Sequence, residues 1–193
     1  MPETTTQQKN LFEPPGGILI WGLVLMELFT FSVAIIVLMV SSKSDPAGFH
    51  ASRLLLNPTY GLINTIFLLT SGYFMAASVR QFKLKNTAAT RKLILFALLG
   101  GLCFLSLKGV EYHEKLSHGF TIRYDTFFTY YWLLTVFHVI HVLVGMIILI
   151  FLFFKIRRTT TALRLEDFEA GASFWHMCDL IWLILFPSLY LLI

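Results

Sequence analysis

A group of ionisable side chains lies within or beside four of the five long apolar stretches of this sequence, where a lipid bilayer offers no water. The group consists of Glu27, Lys108, Glu111, His138, His141, His176 and Asp179. An ionised side chain at the bilayer centre costs about 2.5–3.5 kcal/mol on insertion scales. A chain that keeps such residues must turn them toward protein partners or internal water, so their contacts decide what the protein does.

Two pairs of possible metal ligands, each at i, i+3 spacing, suggest a metal site. His138 and His141 lie three positions apart, and His176 and Asp179 repeat that spacing in the last apolar stretch. A di-iron bundle, however, requires Glu-x-x-His motifs and further carboxylates on several helices, and the sequence lacks that set. Haem needs only one or two histidines and is not excluded by count. The favoured interpretation is a polar network between helices, in which these four side chains satisfy one another.

The remaining ionisable groups suggest proton handling and packing. Lys108 and Glu111 are three residues apart, a spacing at which opposite charges pair on a helix, and long side chains near a membrane edge reach toward the interface. Glu27 lies about ten residues into the first apolar stretch. A carboxyl group alone in hydrocarbon is expected to be neutral. Glu27 is therefore either a proton-responsive or lipid-responsive group at a subunit contact, or a structural carboxyl bonded to Thr30 or to a facing helix.

The apolar stretches that position these groups predict an all-α integral membrane bundle of five transmembrane helices. The 193 residues are 56% hydrophobic and 13% charged, and each span needs about 20 apolar residues. We expect a polar cytoplasmic tail at 1–17 and a single transmembrane domain at 18–193. The connections at 41–58 and 112–126 are expected to be loops, with a turn at Gly119. The predicted spans are 18–40, 59–79, 92–110, 127–154 and 172–193.

The distribution of basic residues among the loops predicts the orientation of the chain in the membrane. The net charge of +4 comes largely from basic residues between the second and third spans and after the fourth. Basic residues accumulate on the cytoplasmic side of membrane proteins. We therefore expect a cytoplasmic N-terminus and a C-terminus outside, and no nucleic-acid partner.

The order of motifs resembles the subunit III family of haem–copper oxidases. The matching segments are Pro14-Pro15-Gly16-Gly17 with Trp21-Gly22 and Glu27, then Phe104-x3-Lys108-x2-Glu111-Tyr112, then His138-x2-His141 with Gly145, and finally Trp175-His176-x2-Asp179-x2-Trp182. Five spans rather than seven resemble the short bacterial form, most closely the accessory subunit associated with nitric oxide reductases. The two N-terminal spans of the long form, which build one wall of a lipid-filled cleft, are not matched.

This resemblance implies a non-catalytic subunit of a respiratory complex in the bacterial cytoplasmic (inner) membrane. It implies that this chain carries no catalytic residue, metal or cofactor, and that haem, and copper where present, belong to a partner catalytic subunit I with its own electron-accepting partner subunit. Membrane lipids are further expected partners, with bound phospholipid possible. The acid matching Glu27 is linked in the family to sustained proton uptake, whereas residues matching His138, His141, His176 and Asp179 act as internal fold determinants.

Two alternatives from other functional classes remain open at the sequence level. The chain is a stand-alone intramembrane metalloenzyme if His138, His141, His176 and Asp179 converge on one metal. It is a small transporter if a path runs past Glu27, although the sequence shows no internal repeat of the kind that transporters use. The sequence does not distinguish a complex that reduces O₂ from one that reduces NO.

Overall fold

The computed structural model describes residues 15–158 and 163–192, and every regular element in these ranges is a helix. The predicted polar tail therefore lies mostly outside the described residues. The elements are α1 (Ile18–Ser44), α2 (Pro46–Arg53), α3 (Pro58–Lys83), α4 (Thr87–Ser117), α5 (Thr126–Arg158) and α6 (Leu165–Tyr190). Five of the six are long and apolar enough to cross a membrane. The prediction of a five-span helical bundle is confirmed.

Local sequence explains where the helices begin. α1 starts directly after Gly17, which has a positive φ of 86°, and the indole of Trp21 donates to the carbonyl of Pro15 at 2.9 Å. α3 starts at Pro58, and the side chain of Asn57 caps it by accepting from the backbone N–H of Thr59. Proline suits the first position of a helix, where its missing N–H is not needed.

The expected loop at 41–58 is wrong in part, because α2 lies within it. Asp45 accepts from the backbone N–H of Gly48, and Pro46 follows as the first helical residue. The chain thus has a capping residue and a helix-starting proline side by side, which suffices for two turns of helix. Phe49 anchors α2 by packing edge-on against Phe127 of α5.

The helices that contain the predicted spans continue well beyond them at α4 and α6. α4 continues to Ser117, two turns beyond the predicted limit, and α6 begins at Leu165 rather than at residue 172. Polar residues end the hydrophobic pattern but not the helix, because the backbone hydrogen bonds continue past the apolar region. The expected turn at Gly119 is present, with φ at 80°. As a result, Lys108 and Glu111 lie inside the helical bundle.

α6 forms the centre of the bundle and packs against α1, α3 and α5. Its Trp175 is fully buried and fits between two glycines, since a Cβ at Gly101 or Gly145 would lie 2.8 Å from the indole ring. Small residues allow close approach between membrane helices. The close packing at Gly145 is therefore made by an aromatic side chain of α6.

Candidate functional site

The largest polar cluster is built around the ion pair of Lys108 and Glu111. Lys108 Nζ lies 2.9 Å from Glu111 Oε2, and both side chains are completely buried. Lys108 Nζ also donates to the hydroxyl of Tyr190 at 2.8 Å. The hydroxyls of Tyr131 and Tyr190 both donate to Glu111 Oε1, at 2.9 and 2.5 Å. The cluster joins α4, α5 and α6 at the end of the bundle opposite to the basic connections.

Aromatic rings enclose the ammonium group of this cluster. Lys108 Nζ lies 5.1 to 5.4 Å from the ring centroids of Tyr112, Tyr131, Trp182 and Tyr190. Such cation–π contacts add to the ion pair when water is excluded. The predicted pairing of Lys108 with Glu111 is confirmed, but neither side chain reaches out of the bundle. The tyrosine hydroxyls replace water, so the pair stays fully inside the protein.

The second polar site joins α1 to α5. Glu27 Oε2 lies 3.2 Å from His141 Nε2, and the two side chains are 16% and 12% exposed. The hydroxyl of Thr30 instead donates to the backbone carbonyl of Met26. Of the two structural partners foreseen for Glu27, the facing helix is therefore the one used. The site lies at the edge of the bundle rather than in its centre.

A backbone contact determines which ring nitrogen of His141 carries a hydrogen. His141 Nδ1 lies 2.8 Å from the carbonyl oxygen of Phe137. A carbonyl only accepts hydrogen bonds, so Nδ1 must carry the hydrogen. The contact between Nε2 and Glu27 then holds one proton, either on the carboxyl with a neutral ring or on the ring with a carboxylate. Both forms are neutral overall, which suits a membrane interior.

His138 has a different environment from His141. It is fully buried, and neither of its ring nitrogens has a hydrogen-bond partner in residues 15–158 or 163–192. Its ring stacks on Trp182 with centroids 5.4 Å apart, and Phe104 and Phe31 meet it edge-on. His138 is thus an element of an aromatic layer.

The third polar pair lies within α6 and faces α3. His176 Nδ1 lies 3.4 Å from Asp179 Oδ2, and the imidazole is 42% exposed while the carboxyl is largely buried. Gly72 of α3 faces this pair so closely that a Cβ there would overlap the carboxylate of Asp179. The other carboxylate oxygen, Asp179 Oδ1, is buried and has no hydrogen-bond partner among the described residues.

The expectation of one network linking His138, His141, His176 and Asp179 is therefore wrong. His141 bonds to Glu27, His176 to Asp179, and His138 to neither pair. Equal spacing within two helices does not set how the helices rotate against each other, and that rotation separates the pairs. Across the described ranges, no three His, Cys, Asp or Glu residues group in a geometry that could hold a metal ion.

Sequence reasoning missed several polar partners. Tyr131 and Tyr190 were not connected with the ion pair, and two further buried bonds link tryptophans of α6 to hydroxyls of α3: Trp175 to Ser71 and Trp182 to Thr65, each at 3.0 Å. A usable signal was the presence of Ser71 and Thr65 within an otherwise apolar span. Buried indole N–H groups need acceptors, and hydroxyls on a facing helix supply them.

Comparisons with known proteins agree with this architecture. The family model for cytochrome c oxidase subunit III matches residues 19–192. The cytochrome c oxidase subunit 3 of Rhipicephalus sanguineus is 32% identical over 156 residues, covering 78% of this chain and 57% of the relative. That of Artemia franciscana is 34% identical over 129 residues, covering 67% and 49%. The chain thus spans about half the length of these animal relatives.

A bacterial relative matches over more of its length. The probable cytochrome c oxidase subunit 3 of Mycobacterium leprae (strain TN) is 26% identical over 179 residues, which cover 90% of this chain and 85% of the relative. The similarity therefore extends across all five spans.

Proposed function

The chain belongs to the cytochrome c oxidase subunit III family, and we propose that it serves as a non-catalytic subunit of a respiratory haem–copper oxidase or nitric oxide reductase complex. In this role it stabilises the catalytic subunit and supports proton uptake. Electron transfer and the reduction of O₂ or NO take place in the partner. The location is the bacterial inner membrane, which the five apolar spans suit.

The observation that carries this proposal is the Glu27–His141 pair. It holds one proton, has no net charge, and lies at a partly exposed edge between α1 and α5. Carboxyl and imidazole groups are the side chains that proteins most often use to hold and pass a proton. The pair is therefore a group that can hold and return protons beside a partner subunit without a permanent charge in the membrane.

The proposal places no haem, copper or other metal in this chain. The candidate ligands His138, His141, His176 and Asp179 are divided among three separate environments, an arrangement that supports fold and contact roles over a shared metal. The partners are a haem-bearing subunit I-like protein, its electron-accepting partner subunit, and membrane lipids, including bound phospholipid.

The membership of the complex is tested by purification from native membranes. The tagged chain, extracted in a mild detergent, is expected to copurify with a larger subunit that shows haem absorption, whereas the chain expressed alone retains no stoichiometric iron, copper or zinc. Turnover of the purified complex with O₂ and with NO then separates the two reactions. Haem or stoichiometric metal in the chain expressed alone, or purification of the chain from native membranes without any haem protein, contradicts the proposal.

A further inference from the structure

A cavity of about 400 Å³ lies between the turn that joins α3 to α4 and the start of α6. Its lining combines apolar and basic side chains with two hydroxyls: Phe82, Lys83, Lys85, Thr87, Thr90, Leu163 and Leu165. The connection between α3 and α4 is one of the basic ones, which accumulate on the cytoplasmic side of membrane proteins. The cavity therefore lies at the level of the lipid headgroups of the cytoplasmic leaflet.

Two contacts hold the walls of this cavity together. The rings of Phe82 and Phe168 are stacked, with their centroids 4.5 Å apart. Lys83 Nζ lies 2.8 Å from Glu169 Oε1. These contacts join the last turn of α3 to the first turns of α6, so the cavity is preformed by the packing of the two helices.

One positive charge of the lining is not neutralised by the surrounding carboxylates. Glu169 pairs with Lys83, and the two acids in the first turn of α6 lie within 4 Å of Arg164. None of the ion pairs among the described residues includes Lys85. The dipole of α4, which begins at Thr87, has its positive end at the same place. The cavity is therefore suited to a negatively charged group beside Lys85.

The backbone at Lys85 supports a use for this charge. Its φ of 58° is the only positive value at a non-glycine position in the described ranges. Lys85 follows α3, and the backbone N–H of Asn86 donates to the carbonyl of Gln81 at 3.0 Å, as in a helix end that favours glycine at the intervening position. A lysine is thus kept where the backbone alone would favour a residue without a side chain.

We propose that this cavity binds the headgroup of an anionic phospholipid from the cytoplasmic leaflet, with the phosphate at Lys85 and Thr87 and the glycerol end against the apolar lining. The ammonium group of Lys85 and the hydroxyl of Thr87 donate to phosphate oxygens, and the bond from the ammonium group is charge-assisted. The proposal rests on the proposed function in one respect, since bound phospholipid is among the partners proposed there.

The mixed lining favours an anionic lipid over other occupants. Basic pockets between transmembrane helices on the cytoplasmic side bind anionic headgroups. A free phosphate ion would match the charge of Lys85 but would leave Phe82, Leu163 and Leu165 without an apolar partner, whereas a lipid engages both parts of the lining. A zwitterionic phospholipid carries a cation of its own, which the ammonium group and the start of α4 repel.

The first test localises the lipid. Phosphatidylglycerol with a photoreactive diazirine at the start of one acyl chain is incorporated into native membranes that contain the complex, and adducts are mapped by mass spectrometry of peptides after irradiation. Adducts are expected on the segments that line the cavity, 82–90 and 163–165. Excess unlabelled phosphatidylglycerol should displace them, whereas phosphatidylcholine and inorganic phosphate should not. Absence of adducts on these segments, or equal displacement by phosphatidylcholine or by inorganic phosphate, overturns the proposal.

The second test removes the charge without harming the fold. Lys85→Gln should lower labelling of the cavity about fivefold, in line with the contribution of one Lys beside an anionic membrane surface. The matched control, Lys92→Gln, removes a charge from the same end of the bundle, where the ammonium group lies over the ring of Phe96 and does not line the cavity. It should leave the labelling unchanged.

Lys85→Gly separates lipid binding from stability. Glycine suits the positive φ at this position, so the variant should unfold no more easily than the unsubstituted protein, yet it should lose labelling as Lys85→Gln does. Thr87→Val should lower the labelling to a smaller extent. Labelling of both Lys85 variants at the level of the unsubstituted complex, or an equal loss in Lys92→Gln, contradicts the proposed site.

The two proposals fail in different ways. If the unsubstituted chain does not copurify with a haem-bearing subunit, the proposed function fails. If the complex purifies intact but the photoreactive lipid does not label the cavity, the complex forms without a lipid at this position and the lipid-site proposal alone is wrong.

Discussion

The Lys108–Glu111 cluster and the Glu27–His141 pair are both intramembrane ionisable sites, yet their surroundings differ. In the first, every charge is matched inside the protein: two tyrosine hydroxyls bond to Glu111, and Tyr190 also accepts from Lys108. In the second, the carboxyl meets a single imidazole at the partly exposed edge of the bundle. The first site is closed, and the second is open on one side.

Under the proposed function, this difference separates a structural use of ionisable residues from a proton-handling one. A buried ion pair that loses one partner leaves an uncompensated charge, so a closed cluster constrains the fold. The Glu27–His141 pair has no further partners that lock its charge, and one side of it is partly exposed. Burial and the number of partners, rather than the presence of a charged residue, thus indicate which site is available to exchange protons.

The largest expected effect lies in the closed cluster. Glu111→Gln leaves the buried ammonium of Lys108 without a counter-charge and should lower the free energy of unfolding by about 3–5 kcal/mol. The double variant Lys108→Met with Glu111→Gln removes the stranded charge and should recover more than half of that loss. Both are measured by denaturant titration in mixed micelles. A double variant no more stable than Glu111→Gln would show that the charges are not coupled.

The tyrosines provide a graded test of the same cluster. Tyr190 bonds to both Lys108 and Glu111, whereas Tyr131 bonds only to Glu111. A hydrogen bond to a charged group contributes about 1.5–3 kcal/mol, so Tyr190→Phe should destabilise the protein by an amount near the upper end and Tyr131→Phe by one near the lower end. The comparison uses the same unfolding titration. Equal losses would mean that the second bond of Tyr190 adds nothing.

His138 and Asp179, which share no contact, test whether the polar sites are energetically coupled. His138 lies among aromatic rings and Asp179 bonds to His176, so His138→Phe and Asp179→Ala should change the unfolding free energy additively, within about 0.5 kcal/mol. A double-mutant cycle on these two positions measures this directly. A coupling energy well above that limit would restore the single network that the spacing of the residues suggested.

The open pair should show the smallest stability change and a functional one instead. Glu27→Gln keeps the shape and a hydrogen bond to His141, so we expect the unfolding free energy to fall by no more than about 0.6 kcal/mol. It removes the exchangeable proton, however, so sustained turnover of the complex should shorten as the pH rises and proton supply becomes limiting. Haem content should not change.

Two further variants complete that measurement. Glu27→Ala should shorten turnover in the same way and should also lower the unfolding free energy more than Glu27→Gln does, because the contact with His141 is lost. Ser32→Ala, on the same helix but bonded to its own backbone at Leu28, should leave turnover unchanged at each pH. If Glu27→Gln sustains turnover like the unsubstituted complex throughout the pH range, the proton role is rejected and Glu27 is a packing residue.

Much of the fold followed from the one-dimensional pattern. The five apolar stretches predicted five spans, and the pairing of Lys108 with Glu111 followed from their spacing on one helix. Both are local properties, since a span is defined by its own length and hydropathy and an i, i+3 pair by the geometry of a single helix. The short helix α2 was also local, encoded by Asp45 and Pro46, but its polar composition concealed it within an expected loop.

The sequence by itself therefore determined the number of membrane helices, their approximate extents and the residues that had to be kept away from lipid. Only the tertiary structure decided how those residues pair. The rotation of α5 about its axis places His141 against Glu27 and leaves His138 against Trp182, and the close approach of α3 at Gly72 confines Asp179. These choices depend on how side chains interlock between helices, and helical periodicity sets the face of each residue but not the helix that it meets.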